Sequence, residues 1–154
     1  MSVESVKTHL AAFGLADRVM EFDISSATVE LAAVAVGCEP AHIAKTLSFD
    51  VNGTAVLIVT AGDRKIDNPK FKAQFQTKAK MLSFDDALTR IGHAVGGVCP
   101  FAVNDGVAVY LDESLKRFDI VYPAAGSASS AVKLTPAELE QASGGTWIDV
   151  CKEM

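Results

Sequence analysis

The chain has 154 residues, is 49% hydrophobic and carries a formal net charge of -5. A domain of this size buries about 68–70% of its unfolded surface, enough for one self-supporting core, so residues 1–154 are read as a single domain. The acidic balance excludes a general nucleic-acid coat, which needs a basic excess, and no apolar run approaches the roughly 18 residues of a membrane span.

The opening "SVESVKTHLAAFG" places Val3, Val6, Leu10 and Phe13 at helical spacing, with Ser2 as N-cap and Gly14 as the stop. It has neither the basic start nor the apolar centre of a signal peptide, which predicts a cytoplasmic protein. The extended "RVMEFDI" precedes a second helix, "TVELAAVAVG", from Thr28 to Gly37. After the turn "CEPAHIA" comes "KTLSFDVNGTAVLIVTAG", two strand-forming runs around Asn52-Gly53, a strong hairpin signal. Lys45 opens the first of these strands.

Six of the fourteen basic residues lie in "RKIDNPKFKAQFQTKAK", residues 64–80. This is either a solvated face or a local surface able to meet a few phosphates. Within it "NPKFKAQF" predicts a short helix starting near Pro69. "SFDDALTRIG" predicts another, with Ser83 and Asp86 in capping-box spacing and Gly92 beyond its end. "GVAVYLD" and "FDIVYPA" predict strands on either side of the turn "ESLKR", and "AGSASSA" predicts a turn. "TPAELEQASGG" starts a helix with Thr135 as N-cap, Pro136 at the first position and Glu138 completing the box, and "TWIDV" closes the chain as a strand. Helices and hairpins intermix without regular βαβ alternation, which indicates an α+β fold.

Three features carry chemistry. "GHAVGGVCPF" sets Gly92, Gly96 and Gly97 in a loop where glycine permits positive φ and close approach to the main chain. Such amides can bind an oxyanion, or the loop can be an ordinary connection. The same stretch holds Cys99 six residues after His93, either a packed cysteine or an activated thiol. Lys45, amid apolar neighbours, either snorkels from a strand or contacts a phosphate. Cys38, Cys99 and Cys151 form no C-x-x-C pair, and His9, His42 and His93 have no partner at i+3 or i+4, so no metal site or cofactor is expected.

Together "AKTLSF", "GHAVGGVCPF" and "AAGSASSAVKLTPAEL" resemble the YbaK/EbsC family, related to the editing insertion domain of bacterial prolyl-tRNA synthetases. The resemblance implies a mixed, mostly antiparallel, barrel-like sheet surrounded by helices. It implies a free-standing deacylase that hydrolyses the ester of tRNA mischarged with a small amino acid. Its partner would be the acceptor 3′ end of aminoacyl-tRNA, with a synthetase as a further candidate partner, and neither DNA nor a membrane. By the same resemblance Lys45 holds the phosphate of the terminal adenosine, and Gly96 and Gly97 face the scissile carbonyl. Thr46, Gly92, His93, Val98, Gly126 and Ser127 border the substrate. Thr46 stands where the alanine-specific branch has asparagine, and Cys99 where several relatives carry serine. Two rival readings follow from the residues: a non-catalytic binder of a tRNA 3′ end, and a thiol hydrolase using Cys99 and His93.

Overall fold

A computed structural model describes residues 3–154, so the expected N-cap at Ser2 lies outside the described residues. The elements in chain order are α1 (Val3–Ala11), β1 (Val19–Glu21), α2 (Val29–Val36), β2 (Ile43–Val51), β3 (Thr54–Ala61), β4 (Arg64–Ile66) and α3 (Asn68–Phe75). They continue with α4 (Phe84–Asp86), β5 (Ala108–Asp112), β6 (Tyr122–Pro123), β7 (Ser130–Val132), α5 (Pro136–Ser143), β8 (Thr146–Ile148) and β9 (Cys151–Glu153). Among the described residues no helix is long and apolar enough to cross a membrane.

Local chemistry explains most of the element ends. Asn52 (φ 52°) and Gly53 (φ 88°) both take positive φ, as the mirror-image turn of a two-residue hairpin requires. Asp50 Oδ1 accepts the Gly53 amide at 2.8 Å. The Thr28 side chain caps α2, which stops at Gly37 in the left-handed region. Thr135 and Glu138 form the expected capping box on α5. The stretch 84–92 starts as an α-helix capped by Ser83 and ends as a π-turn over Ala87–Ile91. Gly92 (φ 102°) stops it, its amide shared between the carbonyls of Ala87 and Leu88.

The main sheet has the order β6-β2-β3-β5-β8, and β1–β7 and β4–β9 form two smaller pairs, giving the curled mixed sheet of an α+β fold. The β2–β3 hairpin is by far the longest pairing and is antiparallel, as are β1–β7 and β4–β9. The parallel pairings, β2–β6, β3–β5 and β5–β8, are short. β3 is buried from Ala55 to Ala61 and apolar there except at Thr60, as a strand covered on both faces requires. Val59 and Ala61 enter the core of α1, α5, Leu111 and Phe101, while Val56 and Ile58 pack with Phe49 and Phe71.

Three sequence expectations are corrected. "FDIVYPA" forms a strand only at Tyr122–Pro123, with one further bridge from Val121 to Leu134. The end of "AGSASSA" is not turn: Ser130 and Ala131 begin β7, paired with β1. "TWIDV" ends as a strand at Ile148, and the chain closes instead on β9, paired with β4. Strands of two or three residues carry too little alternation to be read locally; a distant partner makes them.

Candidate functional site

The first half of β2 supplies the site, and strand register explains why it is open. The hairpin closes at Val51↔Thr54, so the odd residues of β2 hydrogen-bond to β3 and the even ones point their N–H and C=O outward. On that outer edge β6 pairs only as far as Ala44↔Pro123. Coverage resumes where the Leu82 amide donates to Ser48 O (3.1 Å) and the Asp50 amide to Lys80 O (2.8 Å). Between them the outward N–H and C=O of Thr46 have no strand beside them, and the Thr46 hydroxyl oxygen is buried without a hydrogen-bond partner.

This gap is the floor of a cleft of about 340 Å³. One wall is Ser26–Val29 leading into α2, another is Val95, Gly96 and Val98, and a third is Ala124, Ser130 and Ala131. Met81 and Phe84 form part of its rim. The walls are stitched by Ser26 N–H to Ala128 O (2.7 Å) and Phe22 N–H to Ser129 O (2.8 Å).

Lys45 lines the cleft half-buried, and its ammonium donates to the Arg64 carbonyl of β4. Two of its three donors remain for a ligand. Burial pushes its pKa below the ordinary lysine value of 10.5, while Cys151, Asp63 and Glu30 pull it back up. Cys151 does so only when ionised, and burial pushes that thiol up to about 12. Asp63 is held by Arg117 at 2.6 Å. At neutral pH the ammonium is therefore only partly compensated, which suits it to an anion.

The glycine loop divides into two roles. Gly96 (φ 98°) follows Val95 in a turn closed by the Gly97 amide donating to Ala94 O at 3.0 Å, the arrangement of a type II turn. Gly96 and Val98 line the cleft, and their amides have no hydrogen-bond partner among the described residues. Gly97 is buried behind them with its amide already engaged. A Cβ there would lie 2.6 Å from Ser127 N and 2.8 Å from Gly126 C. The Gly-Ser turn thus buttresses the loop, and Ser127 N–H and Oγ are themselves tied to Ser130 Oγ at 3.2 and 3.0 Å.

Of the residues singled out from the sequence, the fold gathers Lys45, Thr46, Gly96 and Val98 at the cleft, while Gly92, His93, Gly97, Gly126 and Ser127 stand behind it. His93 is fully buried; its Nε2–H donates to Phe101 O at 2.7 Å, leaving Nδ1 without a partner. Cys99 Sγ lies 3.7 Å from that same Nε2. A nitrogen that already carries a proton directed at a carbonyl cannot take one from the thiol. Burial pushes the Cys99 thiol up to about 12 despite backbone hydrogen bonds at Phe101 and Gly126. These two residues are packing, and the thiol-hydrolase reading fails on geometry. Met81, Phe84 and the open edge at Thr46 were not found from the sequence. An exposed phenylalanine carries no motif, and a gap between pairing strands is visible only in register.

The comparisons agree with this architecture. The uncharacterized protein YwhH of Bacillus subtilis (strain 168) is 52% identical over 155 residues, covering 99% of both chains. A proline–tRNA ligase of Lysinibacillus sphaericus (strain C3-41) is 30% identical over 90 residues, 58% of this chain and 16% of the ligase. A solved structure of a candidate trans-editing enzyme for prolyl tRNA synthetase superposes with a TM-score of 0.89 at 28% identity, covering 97% of this chain and 96% of its own. The family model of the aminoacyl-tRNA editing domain matches residues 25–142, a span that contains the open edge of β2, both free amides and the buttressing turn. This chain belongs to the family of aminoacyl-tRNA editing domains.

Proposed function

We propose that this protein is a trans-acting deacylase that hydrolyses the ester of a tRNA mischarged with a small amino acid. The observation that supports the reading is the cleft that Lys45, Gly96, Val98 and Thr46 line together, the first a half-buried cation and the others with backbone donors unpaired among the described residues. An aminoacyl ester is already activated, so the protein's task is to position water and stabilise the tetrahedral oxyanion. Lys45 holds a phosphate of the terminal nucleotide. The amides of Gly96 and Val98 receive the developing oxyanion, and the outward carbonyl of Thr46 accepts the α-ammonium of the aminoacyl group. The free ribose hydroxyl of the substrate takes a proton from the attacking water and passes its own proton to the ester oxygen, which leaves as the other ribose hydroxyl. The apolar walls admit only a small side chain.

The test is turnover of a panel of labelled aminoacyl-tRNAs. Release of a small amino acid at catalytic protein concentration supports the deacylase, whereas protection of the ester marks a binder of the 3′ end. Lys45→Ala loses a charge-assisted hydrogen bond worth about 1.5–3 kcal/mol, roughly ten- to a hundred-fold in kcat/KM. Lys45→Arg keeps the charge but replaces a compact ammonium with a planar fork. If both variants match the parent at sub-saturating substrate, Lys45 is not an anchor.

A further inference from the structure

Phe84, at the rim of the cleft, is 75% exposed, with Met81 (59%) and Val95 (48%) beside it on the same mouth. Phe84 belongs to none of the core clusters and to no aromatic pair among the described residues. Its position is nevertheless firm. Ser83 caps the helix that Phe84 begins, and the chain just before it is bonded to β2 through Lys80 O and the Leu82 amide.

Charge distinguishes this edge from the rest of the surface. From Asn68 to Phe84 the sequence has four lysines and no acid, in a chain of net charge -5. Lys70 is held by Asp149 at 2.9 Å, but Lys72, Lys78 and Lys80 are exposed and have no ion pair among the described residues. In the ribbon of chain from Lys78 to Lys80 both lysines are exposed and Ala79 between them is half-buried, so the two lysines face outward together. Lys78 and Lys72 also border a second depression, of about 490 Å³, at the start of α3. The acids next in line, Asp85 and Asp86, lie in the first turn of α4, where the helix dipole favours them.

We infer that Phe84 and the Lys78–Lys80 ribbon form a track for the unpaired 3′ strand of the tRNA. The Phe84 ring stacks a base next to the terminal nucleotide, and the lysines meet the phosphates behind it. The chemistry specifies a single strand. An aromatic face needs an unstacked base, whereas a duplex buries its base faces, and a few cations on an acidic protein would not hold a duplex. The inference rests on the proposed 3′-end substrate but goes beyond it, since no residue of the track touches the ester.

The test uses a labelled single-stranded oligoribonucleotide ending in CCA, without any amino acid, read by fluorescence anisotropy between about 50 and 200 mM salt. Binding is thus measured independently of ester hydrolysis, and the track can stand or fall whatever the deacylation assay shows. Phe84→Ala should weaken binding by about five- to a hundred-fold without changing the salt slope, and Phe84→Trp should retain it. The double variant Lys78→Ala, Lys80→Ala should weaken binding and reduce the slope of log K against log salt by about 1.4, at roughly 0.7 per phosphate on a single strand. All of these side chains are exposed, so melting temperatures should stay at the parent's value. Unchanged affinity in the Phe84→Ala and double-lysine variants overturns the inference. So does equal affinity for a blunt RNA hairpin, or loss of self-association in Phe84→Ala with strand binding intact, which would make this face a protein contact.

Discussion

Replacing Gly97 by alanine separates packing from chemistry in the glycine loop. The added Cβ would sit 2.6 Å from Ser127 N, 2.7 Å from Ser127 Cα and 2.8 Å from Gly126 C. Favourable carbon contacts lie near 3.5–4.0 Å, so about an ångström of overlap must be relieved, and every atom involved is backbone. Forced overpacking of this kind costs about 1–3 kcal/mol. At about 2–4 °C per kcal/mol for a domain of this size, the melting temperature should fall by about 2–12 °C. The displaced turn carries Ser127, whose amide and hydroxyl bond Ser130 in the cleft wall, so kcat/KM should fall even well below the melting temperature. Gly96→Ala is the control. Its nearest neighbours would be the Cβ atoms of Ala27 and Ala128 at 3.4 Å, so there is nearly room, but φ of 98° is a conformation alanine rarely adopts, at about 1–3 kcal/mol. Calorimetry and urea titration of both variants give the measurement. A Gly97→Ala protein that melts within a degree of the parent would refute the close approach of the two loops.

Cys99→Ser should keep deacylation within a few-fold of the parent, and iodoacetamide at neutral pH should leave activity intact, since burial raises the pKa of all three thiols. A loss of about a thousand-fold or more, the scale for removing a nucleophile, would contradict this. His93 is held below the ordinary value of 6.5 by burial, so the unfolded chain takes up a proton at a pH where the folded one does not. The stability His93 contributes is complete above 6.5 and is lost as pH falls through its lowered folded value. Thermal melts between about pH 7 and pH 5 should show this, with a flatter profile for His93→Gln; identical profiles would exclude His93 as the cause. Thr135→Ala removes the hydroxyl that accepts the Glu138 amide, one half of the α5 capping box, and should cost about 1 kcal/mol by urea unfolding with no change in kcat.

The amino-acid sequence by itself determined whatever is decided within a few residues. Asn52-Gly53 takes two positive φ values and closes the hairpin; Thr28 and Gly37 bound α2; Thr135, Pro136 and Glu138 start α5. The order of the lysine, glycine-loop and Gly-Ser motifs was enough to indicate the family that the comparisons identify. Tertiary structure alone decided where each motif residue lies. Gly96 and Gly97 are neighbours of one type, yet only Gly96 borders the cleft, because Gly97 is pressed against a turn some thirty residues away. His93 and Cys99 have the spacing of a catalytic pair but are taken into the core by Phe101. β4 finds β9 across nearly ninety residues, and the opening at Thr46 exists because two segments stop short of each other on one edge of β2. Caps and tight turns are short-range hydrogen-bond choices that the local sequence carries in full. Burial, strand partners and free amides depend on which distant surfaces the core brings together.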